Sequence, residues 1–120
     1  MSRREYTIDH AEAERKAHPV EVGTDSDGES LYLYVLEGLT AEELGELMLI
    51  EEAPVQQRIP RSLQVLMCTE SGDRKFKQSE RVETFTARLP GRVALALVQE
   101  ATKVNQIEIA GVDLDEAAGN

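Results

Sequence analysis

"LYLYVLEGLTAEELGELMLI", Leu31–Ile50, places a strand pattern directly against a helix start. Leu31, Leu33 and Val35 alternate with Tyr32, Tyr34 and Leu36, the period of two that a strand requires. The pattern then changes. Thr40 followed by Glu43 has the spacing of a capping box. Leu39 before the cap and Leu44 after it are spaced as a hydrophobic staple. A helix is therefore predicted from Thr40 to about Ala53, where Pro54 stops it. Leu44, Leu47 and Met48 are its expected buried stripe. Leu47, Met48, Leu49 and Ile50 follow one another, so a single helix face cannot hide all four.

Upstream, Val20 and Val22 alternate with a charge, and "TDSDGES" supplies turn residues. Together with Leu31–Leu36 this predicts a β-hairpin from about Val20 to Leu36. The run Asp25-Ser26-Asp27-Gly28-Glu29 invites comparison with a calcium loop. An EF-hand loop needs Gly at its sixth position and Glu at its twelfth. Counted from Asp25 those positions hold Ser30 and Leu36, so a solvated hairpin turn is the better reading. Residues 1–18 are polar and form an expected arm. Asp9 with Glu12 has N-cap spacing for a short helix, and Pro19 ends it.

Downstream, Ile59, Leu63, Leu66 and Met67 lie four, three and one apart, a helical face expected to run to about Thr69. Pro60 is either a first-turn residue or a kink within it. Gly72 suits a left-handed turn position. Phe76 is expected to anchor the following link to the core, with Arg74, Lys75 and Lys77 left in water. Ser79 is a candidate cap for a helix lined by Val82, Phe85 and Leu89. Pro90 opens a last helix carrying Val93, Leu97, Ala101 and Val104, with Asn105 at its end. The expected architecture is α+β: a hairpin packed on about four helices in one domain, residues 19–106, followed by a flexible acidic tail, 107–120.

Composition narrows the function. The chain has 120 residues and a net charge of −10, with 4% aromatic residues and no Trp. Such a charge repels phosphate backbones, so nucleic acid is not expected as a partner. No apolar stretch approaches the roughly 20 residues of a membrane span. The charged start "MSRREYTIDH" lacks the apolar segment of a signal peptide, and the protein is expected to stay where it is made. Cys68 is the one cysteine. Its apolar neighbours Leu66 and Met67 mark it as a small core residue rather than a nucleophile. The sequence carries no Gly-rich phosphate loop, no nucleophile beside a His and no metal-ligand cluster. No cofactor, metal or catalytic activity is expected. Periodicity leaves two readings open for the surplus apolar residues at Leu44–Ile50 and Val93–Val98: a helical core packed on the hairpin, or a surface for a partner or a second copy, that is, a homo-oligomer.

The order of signals resembles one family. "RSLQVLMCTESGDRKF", "QSERVETFTARLPGRV" and "LVQEATKVNQI" follow in sequence and end in the acidic "DEAAGN". An apolar helix, a small Gly turn, a basic-Phe link, a second helix, Leu-Pro and a final helix running into an Asn resemble the tail assembly chaperones of long-tailed bacteriophages. "LEGLTAEE" resembles their strand-to-helix junction. Asn105-Gln106-Ile107 departs from the Asn-Gly-Leu often found there. The resemblance implies a factor that coats the tape measure protein in the host cytoplasm while tail tube subunits polymerise, and that is absent from the finished virion. It also implies a longer frameshifted form able to recruit the tail tube protein. The alternative is a head–tail or tail-completion protein retained in the virion. For a tape measure helix, Leu63, Leu66, Met67, Val93 and Leu97 are the expected contact surface, since they share helical spacings on two helices.

Overall fold

A computed structural model describes residues 3–77 and 81–108. It contains a three-stranded antiparallel sheet and five α-helices among the described residues. Helix α1 (Ile8–Ala13) is short and exposed, and its cap is Thr7, not Asp9. Thr7 Oγ1 accepts from the His10 amide, and His10 Nδ1 accepts from the Thr7 amide. Tyr6 donates to the Glu14 carboxylate. Strand β1 (Lys16–Thr24) begins earlier than its valines suggest, so Lys16–His18 are strand residues and not the end of an arm. Pro19 lies inside β1, which is an edge strand and therefore tolerates a missing N–H.

β1 pairs with β2 (Ser30–Glu37) from Lys16↔Glu37 to Thr24↔Ser30, with a bulge between Glu21 and Gly23. The turn is held by Asp25, whose carboxylate accepts from the amides of Asp27 at 2.8 Å and Glu29 at 3.0 Å. Its side chain is engaged by its own backbone, as expected of a turn.

Helix α2 (Ala41–Leu49) has the capping box read from Thr40 and Glu43: both reciprocal bonds are present. A 3-10 turn, Ile50–Glu52, carries the chain to Pro54, which starts α3 (Val55–Leu66). Pro60 lies within α3.

The predicted helix through Thr69 stops three residues early. Met67 and Cys68 form a short strand, β3, paired antiparallel with Val35 and Tyr34 of β2. The reason is this pairing with a distant strand, and the next residues add a tight return. Thr69 N–H donates to Asp73 O, Gly72 (φ 91°) turns the chain, and Lys75 N–H donates back to Met67 O. The charged link after Leu66 is thus a small β-turn on the sheet edge rather than an elbow between helices. Phe76 packs against the core as expected. Arg74 does not stay in water: its side chain is 19% exposed and bonds inward.

Ser79 lies outside the described residues. Helix α4 (Thr84–Arg88) begins at Glu83 without a side-chain cap. Buried Gln64 of α3 supplies the missing partner: its Oε1 accepts from the Glu83 amide at 2.9 Å, and its Nε2 donates to Arg81 O at 2.9 Å. Helix α5 (Gly91–Asn105) packs on α3 and on both strands of the hairpin. That central place explains its broad apolar surface. Val93, Ala94, Leu97, Val98 and Ala101 are all buried within the chain. Asn105 fixes its end, donating to Leu36 O at 2.7 Å and accepting from Gly38 N–H at 3.0 Å. Gln106 follows with φ 54°, the left-handed conformation that favours glycine. Ile107 packs on the core, so the domain extends past 106. The rest of the expected tail, 109–120, lies outside the described residues.

Candidate functional site

The five residues expected to face a partner are the core. Leu63, Leu66, Met67 and Leu97 are 0% exposed and Val93 is 4% exposed. They meet each other, Val35 and Val98 between α3, α5 and the sheet. Helical spacing marks a face that is hidden, and here the chain itself hides it. None of the five offers surface to a second molecule.

Cys68 is buried beside them, and burial pushes its thiol up to about 11, so it is protonated at neutral pH. His10 is engaged by Thr7, and His18 Nε2 lies 2.7 Å from Glu37 Oε1. No group of three or more His, Cys, Asp or Glu able to hold a metal occurs among the described residues. No helix among them is long and apolar enough to cross a membrane.

Helix α2 leaves three large apolar side chains open, while Ile8, Val55 and Phe85 are exposed singly on other helices. Met48 is 72% exposed, Leu49 62% and Leu44 38%, while only Glu43 and Leu47 of this helix are buried. The expected stripe Leu44–Leu47–Met48 is therefore corrected: Leu47 points inward with Ile50, and Leu44 and Met48 point outward. At about 100° per residue, Leu44, Met48, Ala41, Gly45 and Leu49 span a continuous arc of roughly 140° without a charged side chain of α2 inside it.

Two ion pairs set this orientation. Glu43 takes both guanidinium nitrogens of Arg15, at 2.6 and 2.9 Å, and also caps the Thr40 amide. Burial works to raise the Glu43 carboxyl. The Arg15 bonds, the Thr40 amide and the charges of Arg15 and Arg74 outweigh it, and the group stays below its ordinary 4.5. The bond to Glu43 likewise raises Arg15. Arg74 donates to Glu46 at 2.7 Å and to Gln64 O at 3.0 Å. Helix α2 is thus inverted: two carboxylates are drawn inward by arginines, and three large apolar side chains face solvent. Unpaired, a buried carboxylate would be costly, so the arginines are what make the inversion stable.

Grooves lie at both ends of this face. One of about 650 Å³ runs between the α2 end and α3, lined by Leu49, Ala53, Pro54 and Val65 together with Arg61 and Arg74. Another of about 530 Å³ is lined by Leu39, Leu44, Val104 and Ile107. Leu44 and Leu49 join them across α2. Gly45 sits between, and a Cβ placed on it would meet nothing within 4 Å. A mid-helix Gly costs about 1 kcal/mol relative to Ala, and no crowding in the fold requires it here.

The other route for docking a peptide, strand addition, is poorly served at the β1 edge. Pro19 removes a donor from the β1 edge. The bulge breaks its register, and Arg92 Nη1 occupies Val22 O at 2.9 Å.

The order of chemistry-bearing parts therefore defines a small acidic α+β module with an open apolar face on helix α2. Comparison with known proteins finds no matching family model, no similar curated protein and no similar solved structure.

Proposed function

We propose that this chain is an assembly chaperone for a phage tail, holding apolar helical segments of the tape measure protein in solution during tail morphogenesis. The observation that carries the proposal is the inverted helix α2: Leu44, Met48 and Leu49 lie open on a chain of net charge −10. Apolar contact supplies adhesion, at about 25 cal/mol per Å² removed from water. The surrounding negative charge keeps coated complexes apart. Met48 suits a carrier of many non-identical segments, because its unbranched side chain adapts to varied shapes. The resemblance in "RSLQVLMCTESGDRKF" and the segments after it supplies the choice of client. On this reading the protein acts in the host cytoplasm, is no enzyme, binds no nucleic acid and leaves before the virion is complete. A longer frameshifted form would bring the tail tube protein.

Self-association also remains a proposal, with a changed basis. The buried apolar residues of α5 are used inside the fold, so of the two segments it is α2 that offers surplus apolar surface. The test is co-expression with the tape measure protein encoded beside this chain. The tape measure protein should move into the soluble fraction with this chain and not with the Met48→Gln/Leu49→Gln variant. Both side chains are exposed, so the variant should fold. A tape measure protein that stays insoluble beside the native chain overturns the reading. Presence of the chain as a stoichiometric ring in purified virions would favour the tail-completion alternative instead.

A further inference from the structure

We infer that the α2 face is built for a cationic amphipathic helix, one whose apolar stripe is flanked by Lys or Arg, and that Gly45 is the point of closest approach. This deepens the chaperone reading and rests on it for the biological client, but its chemistry can be tested separately.

Charge decides the occupant. Glu42, Glu51 and Glu52 are exposed beside Leu44, Met48 and Leu49. None of the three forms an ion pair among the described residues, whereas Glu43 and Glu46 are matched by Arg15 and Arg74. Neighbouring cations are turned elsewhere: Lys16, in the groove beside Leu44, lies 4.0 Å from Glu37. Arg58 donates to the carbonyls of Glu51 and Ala53, and Arg74 to Glu46 and Gln64 O. Arg61 adds one positive charge to the groove beyond Leu49, where Glu52 opposes it. The rim of the apolar arc is therefore net negative. A second copy laid on this face would bring the same three carboxylates against themselves. An anionic helix would meet the same repulsion. A helix with basic flanks pairs with all three while its stripe covers Leu44, Met48 and Leu49, the helix-in-groove mode of recognition.

Shape decides the contact point. Gly45 lies within the arc and midway along the helix, with Leu44, Met48 and Ala41 to one side and Leu49 to the other. A missing Cβ there lets a partner backbone settle between them, as small residues do where helices cross closely. Nothing inside the fold needs this glycine, since a Cβ would meet open space.

The test uses the full chain and two synthetic 20-residue helical peptides with the same Leu stripe. One has Lys on both flanks and the other Glu. Fluorescence titration at low salt should show the Lys-flanked peptide binding at least about tenfold more tightly. Three flank pairs, each contributing up to about fivefold, set that scale. At about 1 M NaCl the preference should collapse, because screening acts within a few Å, while some apolar binding persists. Gly45→Ala should raise the melting temperature by a few degrees, and weaken the Lys-flanked peptide about tenfold. Met48→Gln/Leu49→Gln should abolish binding with its circular dichroism spectrum unchanged.

Equal affinity for both peptides, or no binding of either, overturns the cationic-helix assignment. Undiminished binding by Gly45→Ala overturns its role as contact point, and a dimer in sedimentation that dissolves with Met48→Gln/Leu49→Gln overturns the choice of occupant in favour of a second copy. A chain that solubilises the tape measure protein without preferring the Lys-flanked peptide refutes this inference and leaves the chaperone reading intact. A chain with the preference but no such rescue refutes the chaperone reading and supports the inference.

Discussion

Gly38 stands where β2 hands the chain to α2, at φ 80°. A Cβ built on it would lie 2.6 Å from Glu14 O, 2.9 Å from Glu14 C and 3.1 Å from Arg15 Cα. All three are backbone atoms, so no rotamer change relieves the contact. The crowding is the close crossing that delivers Arg15 to Glu43. Gly38 takes part through its own backbone, accepting from Arg15 Nη1 at 3.4 Å and donating to Asn105 Oδ1 at 3.0 Å. Two costs therefore add in Gly38→Ala. A left-handed conformation costs an L-residue about 1–2 kcal/mol. Overpacking against atoms that cannot yield adds about 1–3 kcal/mol. The sum is about 2–5 kcal/mol, a large part of the stability of a domain this size. Gly72 separates the two contributions. Its φ is 91° and a Cβ there would meet nothing within 4 Å, so Gly72→Ala should lose only about 1–2 kcal/mol. Urea unfolding of both variants, followed by circular dichroism, gives the difference. Equal losses, or a Gly38→Ala loss under about 0.5 kcal/mol, would show that the crossing is not as tight as described.

Thr40→Ala should cost about 1 kcal/mol in the same assay, because Glu43 N–H loses its acceptor; an unchanged midpoint would deny the cap. Gln106→Gly should stabilise by about 1 kcal/mol, since φ 54° no longer strains a side chain, and a loss of stability would contradict that. Acid should weaken the Arg15–Glu43 link in a defined direction. Glu43 is held below 4.5 in the fold, so its contribution is complete above that pH and disappears as pH falls through the lowered value. Urea midpoints from about pH 7 to pH 3 should therefore fall less steeply in Glu43→Gln than in the native chain.

The hairpin turn, the capped start of α2 and the turn at Gly72 were legible because each depends on residues close in sequence; the end of α5 was legible at Asn105, but what fixes it there is Leu36 O and Gly38 N–H. Thr40 needs only Glu43, and Asp25 needs only the next few amides. The short strand at Met67–Cys68 was not, because its reason is Val35 and Tyr34, more than thirty positions away. Nor was the start of α4, whose capping partner is Gln64 rather than its own Ser or Thr. The candidate site divides the same way. Four consecutive apolar residues at Leu47–Ile50 already require some of them to face outward. Which two do so depends on Arg15 and Arg74, contributed from opposite sides of the sequence. Leu63, Leu66, Met67, Val93 and Leu97 failed as a surface for the complementary reason. Periodicity identifies a hidden face and is silent on what hides it.

The inversion of α2 leads to the final prediction. Rolling the helix the other way would place Leu44 and Met48 inward and release Glu43 to water, at the expense of Leu47 and Ile50. Two arginines oppose that roll, so these ion pairs act on orientation more than on net stability. Breaking one of them is costly: Arg15→Met leaves the Glu43 side chain, 6% exposed, with only the Thr40 amide and the longer 3.9 Å contact to Arg74, at a cost of up to about 3 kcal/mol. Replacing both partners is different. Buried pairs exchanged for apolar residues of similar size are often neutral or stabilising, so Arg15→Met/Glu43→Leu should recover part of the loss, the Thr40 amide having lost its Glu43 acceptor. With Glu43 gone, an apolar residue competes for the interior without a charge to anchor it, and Glu46 on Arg74 is the remaining restraint. The double variant should therefore fold well yet hold Leu44, Met48 and Leu49 less firmly outward. Peroxide oxidation of Met48, read by peptide mass spectrometry, should slow relative to the native chain, and solubilisation of the tape measure protein should fall with it. A double variant as stable as the native chain, with Met48 oxidised as fast and the client still held, would show that the ion pairs stabilise the fold without steering the helix.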